Sequence, residues 1–147
     1  MKKHLLFVVA LFFTIDSFSQ IKFENKEWED CRIPIVKLPT LTGDNLFILD
    51  TGSSFSFIDT KYAEENGKFD GADGNVNYCS VSSTIKNNGY FYKVSIINKK
   101  WRMVTADMAS INDNLHGYHV IGILGIDFIM ANKLIIDFTK REVIFKN

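Results

Sequence analysis

The hydrophobic positions fall into short runs separated by polar turns, a pattern typical of β-strands rather than of long helices. The helical signals are confined to 59–67, which Asp59 caps and Gly67 ends in a left-handed conformation, and to a short segment over 126–133. The strands are predicted at 32–38, 46–49, 54–58, 78–85, 90–97, 101–106, 134–138 and 142–145, and 120–125 is an apolar run punctuated by glycine. The pattern therefore indicates a mostly β domain with one or two short helices.

The connections are predicted from turn chemistry. Asn88-Gly89 lies between two apolar runs, and both residues tolerate positive φ, so they predict the turn of a β-hairpin. The polar, glycine-containing stretch 69–77 and the stretch 112–118 are predicted loops. The segment 139–141 is predicted to turn the last hairpin.

The N-terminus has the organisation of a secretory signal peptide. Lys2 and Lys3 precede an unbroken apolar run over 5–13, and small residues follow at Ser17 and Ser19. A transmembrane helix needs about 20 apolar residues, so this run is too short to remain as a membrane span. We expect cleavage after Ser19 and a secreted or periplasmic mature protein without an integral membrane segment.

The full chain has 147 residues, and the part that remains after cleavage is long enough for one domain. We predict a signal peptide over 1–19, a lead or extra strand over 20–31, and a single domain over 32–147. The lead could also be a dimer arm or a disordered segment. Basic and acidic residues number 17 each, so the chain has no excess positive charge, and we expect no nucleic-acid partner.

Cysteine and histidine usage gives little indication of metal chemistry. Cys31 and Cys79 are the two cysteines, and an exported protein allows them to form a disulfide or to remain separate buried thiols. His116 and His119 have no third ligand nearby in sequence, and a polar loop explains them. We therefore expect no metal and no cofactor.

The candidate chemistry lies at Asp50, directly after the apolar run 46–49. A buried strand would fix this carboxylate, Gly52 would let main-chain N–H groups approach it, and the hydroxyls of Thr51 and Ser53 could orient it. That arrangement suits the activation of a water molecule. Asp-Thr-Gly alone, however, is more often an ordinary aspartate turn at the end of a strand.

The surrounding sequence resembles the retropepsin-like aspartic proteases. The segment 47–58 resembles their active-site loop, and 122–129 resembles their second signature, with Ile123, Leu124 and Gly125 in structural positions. The segments 134–138 and 143–145 resemble the closing strands, so the resemblance covers most of 32–145. It is greatest to the bacterial secreted members. It implies a single-lobe, closed barrel-like β domain that forms dimers.

The resemblance also implies an activity. In this family two Asp-Thr-Gly loops face each other, and their carboxylates share one proton and activate a water that attacks a peptide bond. This chain contains one Asp-Thr-Gly and is about half the length of a two-lobed aspartic protease. The resemblance therefore implies a homodimer with one Asp50 from each copy, acting as an aspartic endopeptidase on a polypeptide substrate.

Further roles follow from the resemblance residue by residue. Thr51 matches a position whose hydroxyl bonds across the dimer axis, Gly52 gives the main chain room, and Ser53 matches a position that in some members bonds the carboxylate. The flap is expected over 86–90, at Asn88, Gly89 and Tyr90, with 71–74 as a competing candidate. Asp127 does not precede Thr-Gly or Ser-Gly, and we expect a surface or helix-capping aspartate there.

Two other functions remain open on the sequence. A non-catalytic peptide-binding module could keep the same fold and groove, although it would have no need of the intact Asp-Thr-Gly-Ser. A structural envelope protein with an unrelated β-sandwich fold would contain that motif by chance, and its Asp50 side chains would not face each other.

Overall fold

The computed structural model describes residues 19–25, 33–79 and 84–146. Within these ranges the chain forms short strands, two long strands and three short helices. In chain order the elements are β1 (Ser19–Lys22), β2 (Ile35–Thr40), β3 (Gly43–Leu49), β4 (Phe57–Asp59), α1 (Thr60–Asn66), β5 (Lys68–Cys79), β6 (Thr84–Ile96), β7 (Lys99–Ala106), α2 (Ala109–Asn112), β8 (Val120–Leu124), α3 (Ile126–Ala131), β9 (Leu134–Asp137) and β10 (Glu142–Phe145).

Six of these strands close into a barrel. They are hydrogen-bonded in the order β2-β3-β8-β4-β7-β6, and a pairing of Thr40 on β2 with Ile96 on β6 closes the ring. The β3–β8 and β4–β7 pairs are parallel, and the other pairs are antiparallel. The expected mostly β, closed barrel-like domain with short helices is confirmed.

A separate three-stranded sheet has the order β1-β10-β9. β1 pairs with β10 of the same chain, from Ser19 opposite Phe145 to Lys22 opposite Glu142. Phe23 continues the strand by donating its N–H to the carbonyl of Arg141 at 3.0 Å, and it also bridges to Val36 on β2. The N-terminal strand is thus fixed within its own protomer, and it joins this sheet to the barrel.

The barrel interior holds the main hydrophobic core. Its largest fully buried side chains include Phe47, Leu38, Ile96 and Met103. Phe128 of α3 belongs to the same buried cluster. A second apolar cluster lies on the outer side of β2, β3 and β8, where 111–118 covers it. Apolar side chains on both faces of β3 and β8 hold these two strands in place.

The first helix begins as its sequence predicts and ends differently. The carboxylate of Asp59 accepts a hydrogen bond from the N–H of Tyr62 at 2.9 Å, which confirms the predicted cap. Gly67 is extended, with φ −105° and ψ 173°, so its predicted left-handed conformation is wrong. A side chain cannot be accommodated there because its Cβ would lie 2.6 Å from the carbonyl oxygen of Ala63.

The predicted turn at Asn88-Gly89 is wrong. Both residues lie inside β6, where Gly89 is opposite Asp73 on β5. The predicted loop over 69–77 is also wrong, because this stretch belongs to β5, with register shifts near Gly71 (φ 118°) and between Asp73 and Val76. The long antiparallel ladder outweighs the local turn preference of Asn-Gly, since it pairs the main chain of both strands along their length.

β5 ends at Cys79 and β6 begins at Thr84, and 80–83 between them lie outside the described residues. Cys31 also lies outside them, so the choice between a Cys31–Cys79 disulfide and two separate thiols stays open, and the signal peptide stays a prediction. No helix within the described ranges is long and apolar enough to cross a bilayer.

An ion-paired group fastens the base of the hairpin to β7. The carboxylate of Asp70 accepts hydrogen bonds from Lys93 at 2.6 Å and from Arg102 at 3.0 Å. The guanidinium of Arg102 also lies 3.5 Å from the ring centroid of Phe91. The hydrogen bond from Lys93, together with both positive charges, lowers the pKa of Asp70 below its usual value.

The ion pairs of Asp70 predict that the base of this hairpin becomes less stable at low pH. Because the folded pKa of Asp70 is lowered, its stabilisation is present above the ordinary aspartate pKa and is lost as pH falls through the lowered value. We expect Asp70→Asn to speed amide hydrogen exchange of the adjoining β5 and β6 residues at pH 6 but not near pH 2. Asp44→Asn, which changes an exposed residue near the start of β3, is the control. Equal exchange in wild type and Asp70→Asn at pH 6 would contradict this role.

Candidate functional site

Asp50 is placed by two strands of the barrel. It follows Leu49, the last residue of β3, and its N–H donates to the carbonyl of Leu124 at the end of β8, at 3.0 Å. Leu49 and Leu124 are both buried, whereas Asp50 itself is half-buried. The carboxylate therefore stands where a rigid, parallel strand pair meets the surface.

Main-chain groups hold the carboxylate in orientation. The N–H of Gly52 donates to Oδ1 of Asp50 at 2.8 Å, and the N–H of Ser53 donates to the Asp50 carbonyl at 3.2 Å. A Cβ on Gly52 would lie 3.2 Å from Oδ1 of Asp50, tighter than most real contacts. The predicted role of Gly52 therefore has a geometric basis, since the main chain lies directly against the carboxylate.

The two hydroxyls of the motif do not touch this carboxylate in the protomer. Ser53 donates its hydroxyl to the carbonyl of Phe55 at 2.7 Å, so its expected bond to Asp50 is not made. Thr51 is exposed, and within the part of the chain that the structure describes its hydroxyl has no hydrogen-bond partner. The tip of the loop thus presents an unused hydroxyl beside a partly accessible carboxylate.

The second signature packs directly against this loop. Ile123 and Leu124 lie on β8, and Gly125 connects β8 to α3. The N–H of Ile126 donates to the Ser53 carbonyl at 2.8 Å. A Cβ on Gly125 would lie 2.7 Å from the Ser53 carbonyl oxygen and would also strike the main chain of Phe55, so only glycine fits between the segments.

A hydrogen-bond network that the sequence did not reveal joins the same two segments. Asp127 accepts from both the N–H and the hydroxyl of Ser56, at 3.1 and 2.7 Å, and the Ser56 hydroxyl accepts from the N–H of Gly125 at 3.0 Å. The N–H of Phe128 also donates to Asp127, at 2.8 Å. Asp127 is exposed in the first turn of α3, as expected, but Ser56 is only 3% exposed.

The predicted flap residues lie within two paired strands. Asn88, Gly89 and Tyr90 belong to the ladder of β6, and the competing 71–74 segment belongs to the facing part of β5. Tyr90 is 48% exposed, and its carbonyl accepts a hydrogen bond from Thr105 at 3.3 Å. Their assignment as a flap stays a prediction, now attached to the stem of a long hairpin.

The protomer alone offers one oriented carboxylate. In the described ranges, no group of three His, Cys, Asp or Glu side chains is arranged to hold a metal ion. A single carboxylate can act as a general base, but hydrolysis of an amide also requires an acid that protonates the leaving nitrogen. The site therefore lacks half of the chemistry that its motif indicates.

Comparisons with known proteins show a likeness to solved structures. No protein-family model and no curated protein matches the chain. Among solved structures, the EIAV protease complexed with the inhibitor HBY-793 is similar over 72% of this chain and 93% of that chain, with 17% sequence identity and a TM-score of 0.47.

The Ser56–Asp127 network is predicted to stabilise the loop that carries Asp50. Ser56→Ala would leave the buried N–H of Gly125 without its acceptor, so we expect a loss of about 1–3 kcal/mol in the free energy of unfolding. Ser54→Ala removes an exposed hydroxyl two positions away and should cost less than about 0.5 kcal/mol. Denaturant unfolding measures both changes.

A double-mutant cycle with Asp127→Ala separates the pair from its surroundings. We expect a coupling energy of at least about 0.5 kcal/mol between Ser56→Ala and Asp127→Ala. Strictly additive effects would show that the two side chains act independently.

Proposed function

We propose that the protein is an aspartic peptidase that works as a homodimer, with water activated between the Asp50 carboxylates of two copies. The observation that carries the proposal is the geometry of the Asp50 loop. The N–H of Gly52 orients the carboxylate, the second signature packs under the loop, and the loop tip is exposed at Thr51. A loop built so tightly around one half-buried carboxylate has a clear use only if a second carboxylate meets it.

The chemistry follows from bringing two such groups together. Two carboxylates about 3 Å apart cannot both ionise easily, so they share one proton. The ionised one takes a proton from the bound water, and the water oxygen attacks the peptide carbonyl carbon. The protonated one donates its proton to the developing oxyanion. Collapse of the tetrahedral intermediate then breaks the C–N bond, with proton transfer to the leaving nitrogen.

A symmetric partner would supply the missing acid by rotation about a twofold axis. In such an arrangement the free hydroxyl of Thr51 would find its hydrogen-bond partner in the other copy. Gly52 would bring its main chain to the axis without a side chain in the way.

The edge of β9 offers a route to this dimer. In the described ranges β9 pairs on one side only, with β10. Exposed apolar side chains lie on and beside it, since Met130 is 70%, Ile135 41% and Phe138 49% exposed. Antiparallel pairing of β9 with the same strand of a second copy would join two three-stranded sheets into one of six strands and would cover these side chains.

The β5–β6 hairpin is the element that would close over a substrate. Its paired strands contain Asn88, Gly89 and Tyr90, and the ladder runs from Lys68 opposite Lys93 to Cys79 opposite Thr84. A hairpin of this length can exclude water and donate main-chain hydrogen bonds to an extended peptide. We propose a polypeptide substrate and, with the predicted removal of 1–19, action outside the cytoplasm.

Asp50→Asn tests the catalytic claim. The amide oxygen can still accept the hydrogen bond from Gly52, so the loop should keep its shape while the proton-sharing pair is lost. We expect peptide hydrolysis in mild acid to fall at least about 100-fold, with no change in the melting temperature beyond a few degrees. Asp44→Asn is the matched control and should keep full activity.

Two other results would contradict the proposed catalytic role or favour a different function. Full activity of Asp50→Asn would exclude Asp50 as the catalytic group. A wild-type protein that binds peptides but does not cleave them would favour the alternative of a non-catalytic peptide-binding module.

Substitution at the β9 edge tests the dimer. We expect Phe138→Lys to weaken self-association at least about tenfold, because the interface would have to bury a charge. Leu41→Lys changes a side chain that is 70% exposed on the β2–β3 turn and should not alter association. Sedimentation equilibrium with an active-site inhibitor measures both. A strict monomer under these conditions would exclude the dimeric peptidase.

A further inference from the structure

A cavity of about 370 Å³ lies where α3 ends, at the opposite end of this helix from Gly125. Its wall combines apolar side chains with positively charged ones. The lining residues are Ile97, Lys99, Ala131, Asn132, Lys133, Phe145, Lys146 and, until the expected cleavage removes it, Ser19. The volume is within the range of small-molecule sites, about 300–1,000 Å³.

Three of these residues are lysines, and none of the lining residues is acidic. Within the described ranges, Lys99, Lys133 and Lys146 make no ion pair and no side-chain hydrogen bond. Four other lysines each contact a carboxylate within 4 Å, and these are Lys22, Lys37, Lys93 and Lys140. The cavity thus gathers positive charge that the protein does not neutralise there.

The three lysines come from separate parts of the fold. Lys99 begins β7, Lys133 follows α3, and Lys146 follows β10. The backbone of Lys133 has φ 50°, a left-handed conformation that is costly for a residue with a side chain. Its neighbour Asn132 is anchored because its side-chain amide donates to the Phe128 carbonyl at 2.9 Å. The main chain around the cavity is therefore fixed by the barrel, the small sheet and α3 together.

We propose that this cavity binds a small organic anion, with phosphate or carboxylate oxygens at the lysines and an apolar body against Ile97, Ala131 and Phe145. Three ammonium groups around one anion gain favourable charge–charge energy that none of them obtains from the protein itself. The apolar wall and the volume favour a ligand larger than an inorganic ion. The site shares no residue with the Asp50 loop, so it stands or falls independently of the peptidase activity.

NMR titration of the purified protein tests the site with four probes: phenyl phosphate, benzoate, inorganic phosphate and phenol. We expect phenyl phosphate and benzoate to shift the amide signals of Ile97, Lys99, Asn132 and Lys133. Both should bind at least about threefold more tightly than inorganic phosphate or phenol, because only they combine charge with an apolar body. Binding of the two anions should weaken as sodium chloride rises from 50 to 300 mM.

Charge-removing variants locate the binding. Lys99→Met and Lys146→Met should each weaken phenyl phosphate binding about two- to fivefold, and Lys133→Asn should do the same while tolerating the left-handed backbone. Lys61→Met removes an exposed lysine on α1 that does not line the cavity, and it should leave binding unchanged. All four variants should keep the wild-type spectrum elsewhere.

Three results would overturn the proposal. One is the absence of saturable shifts at these amides with phenyl phosphate. Another is equal binding by inorganic phosphate, which would indicate surface attraction of ions without a formed site. The third is an equal loss of binding in Lys61→Met and in the cavity variants, which would indicate a response to net charge alone.

Discussion

The loop that carries Asp50 depends on one contact, its packing against the connection between β8 and α3. The main chains approach so closely that Gly125 cannot carry a side chain, and Ile126 donates to the Ser53 carbonyl across the gap. Beside this contact, the N–H and the hydroxyl of Ser56 donate hydrogen bonds to the carboxylate of Asp127. Since β3 and β8 are parallel neighbours buried on both faces, movement of either segment would disturb the barrel core. The orientation of Asp50 is therefore a property of the whole domain.

The sequence predicted those parts of the fold whose signals are local. The run 46–49, the cap at Asp59 and the closing strands β9 and β10 each follow from neighbouring residues, and the structure confirms them. The hairpin was mispredicted because Asn88-Gly89 is a strong local turn signal, whereas the pairing of β5 with β6 depends on residues far apart. Polar residues over 69–77 concealed a strand for the same reason.

The candidate site shows the same division. Asp50 and the close fit of Gly52 could be inferred from a short motif. The Ser56–Asp127 contact could not, because its partners are 71 positions apart and each residue alone is unremarkable. The hydrogen bond of the Ser53 hydroxyl was also not predicted. The motif suggested the Asp50 carboxylate as its acceptor, whereas in the folded loop the acceptor is the Phe55 carbonyl.

The pairing of β1 with β10 inside one protomer has a consequence for how the proposed enzyme would be controlled. Because the N-terminal strand already pairs with β10 of its own copy, it is not available to a second copy, and the proposed assembly depends on the four-residue edge of β9. Such a protein would be an inactive monomer at low concentration and would become an active dimer where its concentration is high. Dilution after export would then lower the proposed activity.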